Sequence, residues 1–183
     1  MPAAPGLCPM DPGQMEATLQ RLAADLVARL KPEEEVVLLG IRSRGLPLAE
    51  RLATLLRATT GAQIPVGSLD ITLYRDDLSA VGPTPRVGET SLPGPLEGRI
   101  VVIVDDVLYT GRTIRAALDE LADFGRPRRI LLCVLVDRGG RELPIQADIV
   151  GLPVATSLDD RVDVAVQELD GKDLVELVRG APL

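Results

Sequence analysis

The chain has 183 residues, 46% of them hydrophobic but only 2% aromatic, so its size suits one domain whose sizeable core is built from Leu, Val, Ile and Ala. A formal net charge of −7 and so few aromatic rings argue against a broad basic nucleic-acid face and against base stacking on an aromatic platform. Histidine is absent and the two cysteines, Cys8 and Cys133, lie far apart, which removes Ser-His and Cys-His catalysis, a disulfide framework and an ordinary zinc site.

Residues 1–10 are rich in Pro and Ala and are expected to be disordered. They contain neither a basic n-region nor an apolar h-region, and no apolar run reaches membrane length, so a cytoplasmic protein is expected. Asp11-Pro12 reads as an N-cap and first helical residue. Met15, Leu19, Leu22, Leu26 and Leu30 then recur at helical spacing up to Lys31-Pro32. The run VVLLG, 36–40, reads as a buried strand, and GIRSRG, 40–45, as a loop into a helix reaching Leu56.

The glycines of GIRSRG imitate the spacing of a Walker A loop, but Leu46-Pro47 stands where Lys and Ser/Thr are needed, so that motif fails. Arg42 and Arg44 suit phosphate oxygens by charge-assisted bonding, and they equally suit a pair of solvated loop arginines. A strand near IPVGSLDIT follows, then an excursion, 73–98, punctuated by Pro83, Pro85, Pro93 and Pro95. It is too long for a simple connection and is expected to be a flexible loop that covers a site.

Residues 101–113, VVIVDDVLYTGRT, carry the most information. Val101 to Val104 read as a strand buried on both faces, with Asp105 and Asp106 emerging at its carboxyl end. Ligands of open α/β sheets bind at such ends, and a following helix N-terminus, Thr110 to Thr113, offers free N–H groups to a phosphate. An ordinary turn with Thr110 as N-cap and solvated acids is the plainer alternative. The longer pattern puts hydroxyl-binding acids beside an anion seat, as a phosphorylated sugar requires.

Beyond Gly125 the chain reads as a buried strand, 130–136, then the loop DRGGRELP, strand-like pieces at DIVG and VDVAVQ, and a terminal helix from about Gly171. Alternating strands and helices predict a single-domain α/β fold over 1–183, with a central, mainly parallel sheet flanked by helices.

The order of residues in VVIVDDVLYTGRT resembles the phosphoribosyl-pyrophosphate motif of the type I phosphoribosyltransferases. Over about residues 15–178, LDITLYRDDL, VDDVLYTGRT, GRP at 125–127 and LVDRGGRELPI make the chain resemble a family of pyrimidine-operon regulators that are also uracil phosphoribosyltransferases. Such an enzyme converts uracil and phosphoribosyl pyrophosphate (PRPP) into UMP and pyrophosphate. The resemblance implies that Asp105 and Asp106 hold the ribose hydroxyls, and that Thr110, Gly111, Arg112 and Thr113 hold the 5-phosphate. Arg42, Ser43 and Arg44 would hold the pyrophosphate, with a strained, cis-prone peptide at Ser43-Arg44.

Arg75 would close onto the pyrophosphate as a third catalytic residue beside Thr72 and Tyr74, although a charged surface turn also suits that stretch. Val107, Tyr109, Val136, Asp137 and Arg138 would complete the substrate site within a hood region, 136–157. Tyr109 stands where the hypoxanthine and guanine enzymes carry an acid, which turns the reading from purines to uracil. Mg²⁺ would arrive on the substrate, with no direct protein ligand. The resemblance also implies a homo-oligomer and UMP-dependent binding of pyrimidine-operon leader mRNA, to which Arg21 and Arg141 would contribute. The chain departs from the family's RNA surface at Ala24 and Gly140, in place of His, at Gln146, in place of Arg, and at Leu152, in place of Lys.

Overall fold

The computed structural model describes residues 7–74 and 89–180. The first helix, α1 (Pro12–Arg29), begins where Asp11 accepts the Gln14 N–H at 2.8 Å while the Gln14 side chain accepts the Asp11 N–H at 2.8 Å. This reciprocal cap satisfies two of the donors a helix start leaves unpaired. Met15, Leu19, Leu22, Ala23 and Leu26 form its buried stripe.

Five strands form a wholly parallel sheet: β2 (Val36–Ile41), β3 (Val66–Leu69), β4 (Ile100–Leu108), β5 (Arg129–Asp137) and β6 (Ile149–Pro153), in the order β3-β2-β4-β5-β6. Helix α2 (Gly45–Thr60) lies with α1 on one face, and α3 (Arg112–Phe124) covers the other. Alternation along the strands divides the core accordingly. In β4, Val102 and Val104 join the α1/α2 side, while Val101 and Ile103 join the α3 side together with Ile114, Ala117 and Leu121. Both faces being covered explains the unbroken aliphatic runs in the sequence.

The expected α/β sheet is therefore present, but the chain ends differ from expectation. Residues 7–10, expected to be disordered with the rest of 1–10, form β1 (Leu7–Met10). It pairs antiparallel with β8 (Leu174–Val178), which stands where a terminal helix was expected and which also pairs with β7 (Arg161–Ala165). Between β7 and β8 lies a single short helical turn, α4 (Gln167–Asp170). Met10, Val162, Val164, Val175 and Leu177 bury into the α1/α2 core, so both chain ends close the same small sheet.

Strand β4 continues past the acid pair, pairing Val107 with Val136 and Leu108 with Asp137. After β3 the chain makes a short 3-10 helix, Ile71–Tyr74. Of the excursion expected over 73–98, residues 75–88 lie outside the described residues, while 89–98 pack onto the body. Ser91 bridges to Ser68, and Leu96 is fully buried. Among the described residues, no helix is long and apolar enough to cross a membrane.

Candidate active site

At the carboxyl end of the parallel sheet, Arg42, Ser43, Arg44, Thr72, Asp105, Asp106, Val107 and Thr113 gather around one cavity of about 420 Å³, together with Ile41, Asp70 and Ile71. Four separate segments contribute: the β2-α2 loop, the turn after β3, the end of β4 and the start of α3.

The β2-α2 loop reaches the acids because the first residue of α2 has no side chain. A Cβ on Gly45 would fall 2.4 Å from the carbonyl oxygen of Val104, so only glycine lets α2 begin against the backbone of β4. Arg42, Ser43 and Arg44 are thereby held opposite Asp105 and Asp106. A cis peptide is present here, at Arg42-Ser43, one bond earlier than the expected Ser43-Arg44. Arg42 Nε donates to Ser68 Oγ at 3.2 Å, and Arg44 donates to both carboxylate oxygens of Asp170, at 3.2 and 2.9 Å.

Asp105 is buried, and Asp106 is half-buried on the cavity wall. Asp105 Oδ1 accepts the Asp106 N–H at 3.0 Å, and Asp106 Oδ1 accepts the Val107 N–H at 2.8 Å. Burial, and next the charge of Asp106, drives the Asp105 carboxyl well above the usual carboxylate range, against the opposing hydrogen bond from the Asp106 backbone. The half-buried Asp106 thus presents its carboxylate on one wall of the cavity, beside the buried carboxyl of Asp105.

Helix α3 starts at Arg112 after Gly111, whose φ is 92°, and the Thr110 hydroxyl accepts the Arg112 N–H at 3.3 Å. Thr113, one residue further, faces the cavity from the positive end of this helix dipole. Arg112 points elsewhere, pairing with Glu142 at 2.7 Å.

The loop after β5 does not line this cavity among the described residues. Val136 is buried in the core, and Asp137 is bonded to Arg141 at 2.6 Å. Arg138 is buried with its guanidinium over the Tyr109 ring, 3.9 Å from the centroid, and it donates to the carbonyls of Ser157 and Asp160 at 3.2 and 2.6 Å. Its side chain thus joins Tyr109 to the 156–160 segment instead of projecting toward the acids. Tyr74 belongs to the 3-10 turn beside the cavity, and Arg75 lies outside the described residues.

Asp70 is a cavity residue that sequence reasoning missed, although it lies inside LDITLYRDDL. It orients Thr72, whose N–H donates to Asp70 Oδ1 at 3.0 Å and whose hydroxyl donates to the same oxygen. Its own N–H donates to the Thr90 hydroxyl at 2.9 Å, and Thr90 donates in turn to the buried Glu120 on α3.

A parallel sheet with tandem acids at a strand end, an arginine loop opposite and a helix start alongside defines a phosphoribosyltransferase domain, and that family, described as the phosphoribosyl transferase domain, matches residues 11–169. A solved hypoxanthine phosphoribosyltransferase of Trypanosoma cruzi superposes with a TM-score of 0.70 over 97% of this chain and 98% of that one, at 18% identity. One from Staphylococcus aureus gives a TM-score of 0.68 over 94% of this chain and 93% of that one, at 16% identity. These likenesses establish the fold. Much nearer in sequence are proteins named bifunctional protein PyrR. The chain is 56% identical to that of Chloroflexus aurantiacus, covering 92% of each, and 55% identical to that of Thermus thermophilus, covering 92% of this chain and 93% of that relative. The chain belongs to the PyrR family.

Proposed function

We propose that this protein transfers the 5-phosphoribosyl group of PRPP to uracil, giving UMP and pyrophosphate. The observation that carries the reading is the placement of Asp105 and Asp106 across one cavity from Arg42, Ser43 and Arg44, with the start of α3 beside them. In the reaction the bond from the anomeric carbon to pyrophosphate breaks, and its electron pair leaves with the pyrophosphate. Uracil N1 then bonds to that carbon and loses its proton. Positive, oxocarbenium-like character develops on the ribose between these events.

Asp105 and Asp106 accept the ribose 2′ and 3′ hydroxyls, and their charge lies where the sugar becomes cationic, so they favour the transition state over the ground state. The N–H groups and hydroxyls at Thr110, Gly111 and Thr113 seat the 5-phosphate. Arg42 and Arg44 receive the departing pyrophosphate, and Arg75 is proposed to close on it from the excursion, excluding water that would hydrolyse the activated ribose. Mg²⁺ arriving with the substrate would supply further charge neutralisation beside the acids of this cavity. Tyr109, Val136, Asp137 and Arg138 are assigned to the base side of the site through the loop after β5.

A steady-state assay with a panel of bases tests the reading: uracil is turned over with release of pyrophosphate. Turnover of a purine but not of uracil overturns it.

The second activity proposed is UMP-dependent binding of the pyrimidine-operon leader mRNA. One observation favours an enzyme alone. Arg21 is spent on the carbonyls of Val150, at 3.3 Å, and Gly151, beside an ion pair with Asp25 at 3.6 Å. Arg141 is spent on Asp137 and on the carbonyls of Tyr109 and Ile145, each at 2.9 Å. Arg141, with donors on all three of its nitrogens engaged, offers little to a phosphate backbone, and Arg21 has two of its five donors already committed. A gel-shift titration with leader RNA decides: a UMP-dependent shift at low salt supports the regulator, and none leaves the enzyme. The proposal takes the protein as a cytoplasmic homo-oligomer, with exposed Leu118, Phe124, Leu158 and Leu169 as candidate contacts, and light scattering gives its mass.

A further inference from the structure

We propose that Asp170 is a positioning residue for phosphoribosyl transfer: from the helical turn between β7 and β8, it fixes the Arg44 guanidinium in the orientation that receives pyrophosphate. The inference rests on the assignment of the Arg42–Arg44 loop to pyrophosphate.

The pairing is side-on and long in sequence. Arg44 Nε lies 3.2 Å from Asp170 Oδ2 and Nη2 lies 2.9 Å from Oδ1, across 126 residues of chain. A guanidinium carries five N–H donors in one plane. The carboxylate fixes that plane through two of them. The remaining donors stay available on the cavity wall that Arg44 lines with Asp106. An arginine held in one rotamer before substrate arrives has less freedom to lose on binding, which favours affinity.

The anchor is itself held. Asp170 Oδ2 also accepts the Val166 N–H at 2.8 Å, closing the turn on which it sits. A second arginine, Arg51 of α2, binds Glu168 within that turn at 2.6 Å and Asp173 just beyond it at 2.8 Å. The turn is therefore clamped to α2 independently of Arg44, and Arg44 orients against a fixed point. Deleting Asp170 leaves a long, free side chain at the end of the β2-α2 loop, with its charge intact and its direction lost.

The test is a double-mutant cycle in steady-state kinetics, with PRPP and uracil varied separately for D170A, D170N, R44A and D170A/R44A. Asp170→Ala is expected to raise KM for PRPP about 3- to 10-fold while kcat and KM for uracil stay within about twofold. D170N, which keeps one oxygen for Arg44 Nε and the Val166 N–H but loses the charge and the acceptor for Nη2, is expected to recover part of that loss. Because Asp170 acts through Arg44, the Ala substitution is expected to add nothing in the R44A background. Additive effects would reduce Asp170 to a structural role and overturn the inference. A lower KM for PRPP in D170A would do so as well, by making Asp170 a competitor of pyrophosphate. If D170A does not fold, the D170N and D170N/R44A pair reads the same coupling. An R44A protein with unchanged KM for PRPP removes the pyrophosphate assignment beneath the inference, whereas a damaged R44A with an indifferent D170A removes the inference alone.

Discussion

The main-chain N–H of Asp106 donates to Oδ1 of Asp105 at 3.0 Å, so the more exposed acid of the pair supports the carboxyl of the buried one while its own charge opposes it. Burial and that charge hold the Asp105 carboxyl above its ordinary range. An acid raised in the folded state stabilises the fold fully at pH below its unfolded value, near about 4, and loses that contribution as pH rises through the folded value. At neutral pH, Asp105 therefore costs stability for the sake of the site.

Replacing Asp105 by Asn keeps the acceptor for the Asp106 N–H and removes the buried ionisable group. The variant is expected to gain about 1 kcal/mol at pH 7, by urea denaturation, while losing at least about tenfold in kcat/KM. A variant that is less stable and equally active would contradict both halves.

Glu120 follows the same sign from a different place. It is 3% exposed, its Oε2 has no partner among the described residues, and its carboxyl is raised by burial, with Asp70 and Asp123 adding to the rise and the Thr90 hydroxyl opposing it. Its contribution to stability is full below the usual glutamate value, near about 4.3, and falls as pH increases. Glu120→Gln keeps an acceptor for Thr90. It is expected to flatten the decline in stability between pH 4 and 8, by about 1 kcal/mol at the upper end. Parallel curves for the two proteins would contradict this.

Arg141 is expected to matter more for stability than for RNA. Its guanidinium joins Asp137 to the carbonyls of Tyr109 and Ile145, tying the loop after β5 to the end of β4. Arg141→Ala leaves Asp137 half-buried without its cation and is expected to cost about 2 kcal/mol, measured by denaturation. An unchanged midpoint would return Arg141 to the surface role that the resemblance assigns.

Gly140 bears on the same loop. It has φ 72°, and a Cβ built there falls 2.4 Å from Cε2 of Tyr109, whose ring is already stacked on Arg138. Gly140→His, the residue that the resemblance implies here, is therefore expected to displace the ring and cost about 1–3 kcal/mol, with chemical denaturation as the measure.

The central sheet and the tandem acids were legible because their signals are local: β4 is a continuous aliphatic run, and Asp105-Asp106 followed by Thr110 to Thr113 fits one strand-turn-helix unit. The terminal sheet was not. Leu174, Leu177 and Val178 also satisfy helical spacing, and only the buried pair Val175 and Leu177, packed on the α1/α2 core, reveals the strand period. β1, four residues with a proline, has no periodicity to read and exists through its pairing with β8. Asp70 and Asp170 were missed for a related reason. Each belongs to a stretch whose charge suits a surface turn, and their roles depend on Thr72 and on Arg44, the latter 126 residues away.

The most direct test of phosphoribosyl transfer at the end of β4 is a crystal structure with UMP bound. The account predicts ribose hydroxyl oxygens within about 2.5–3.2 Å of the Asp105 and Asp106 carboxylates and the 5-phosphate on the main-chain N–H groups that open α3. A nucleotide lodged elsewhere, or an acid pair turned away from its sugar, would contradict it.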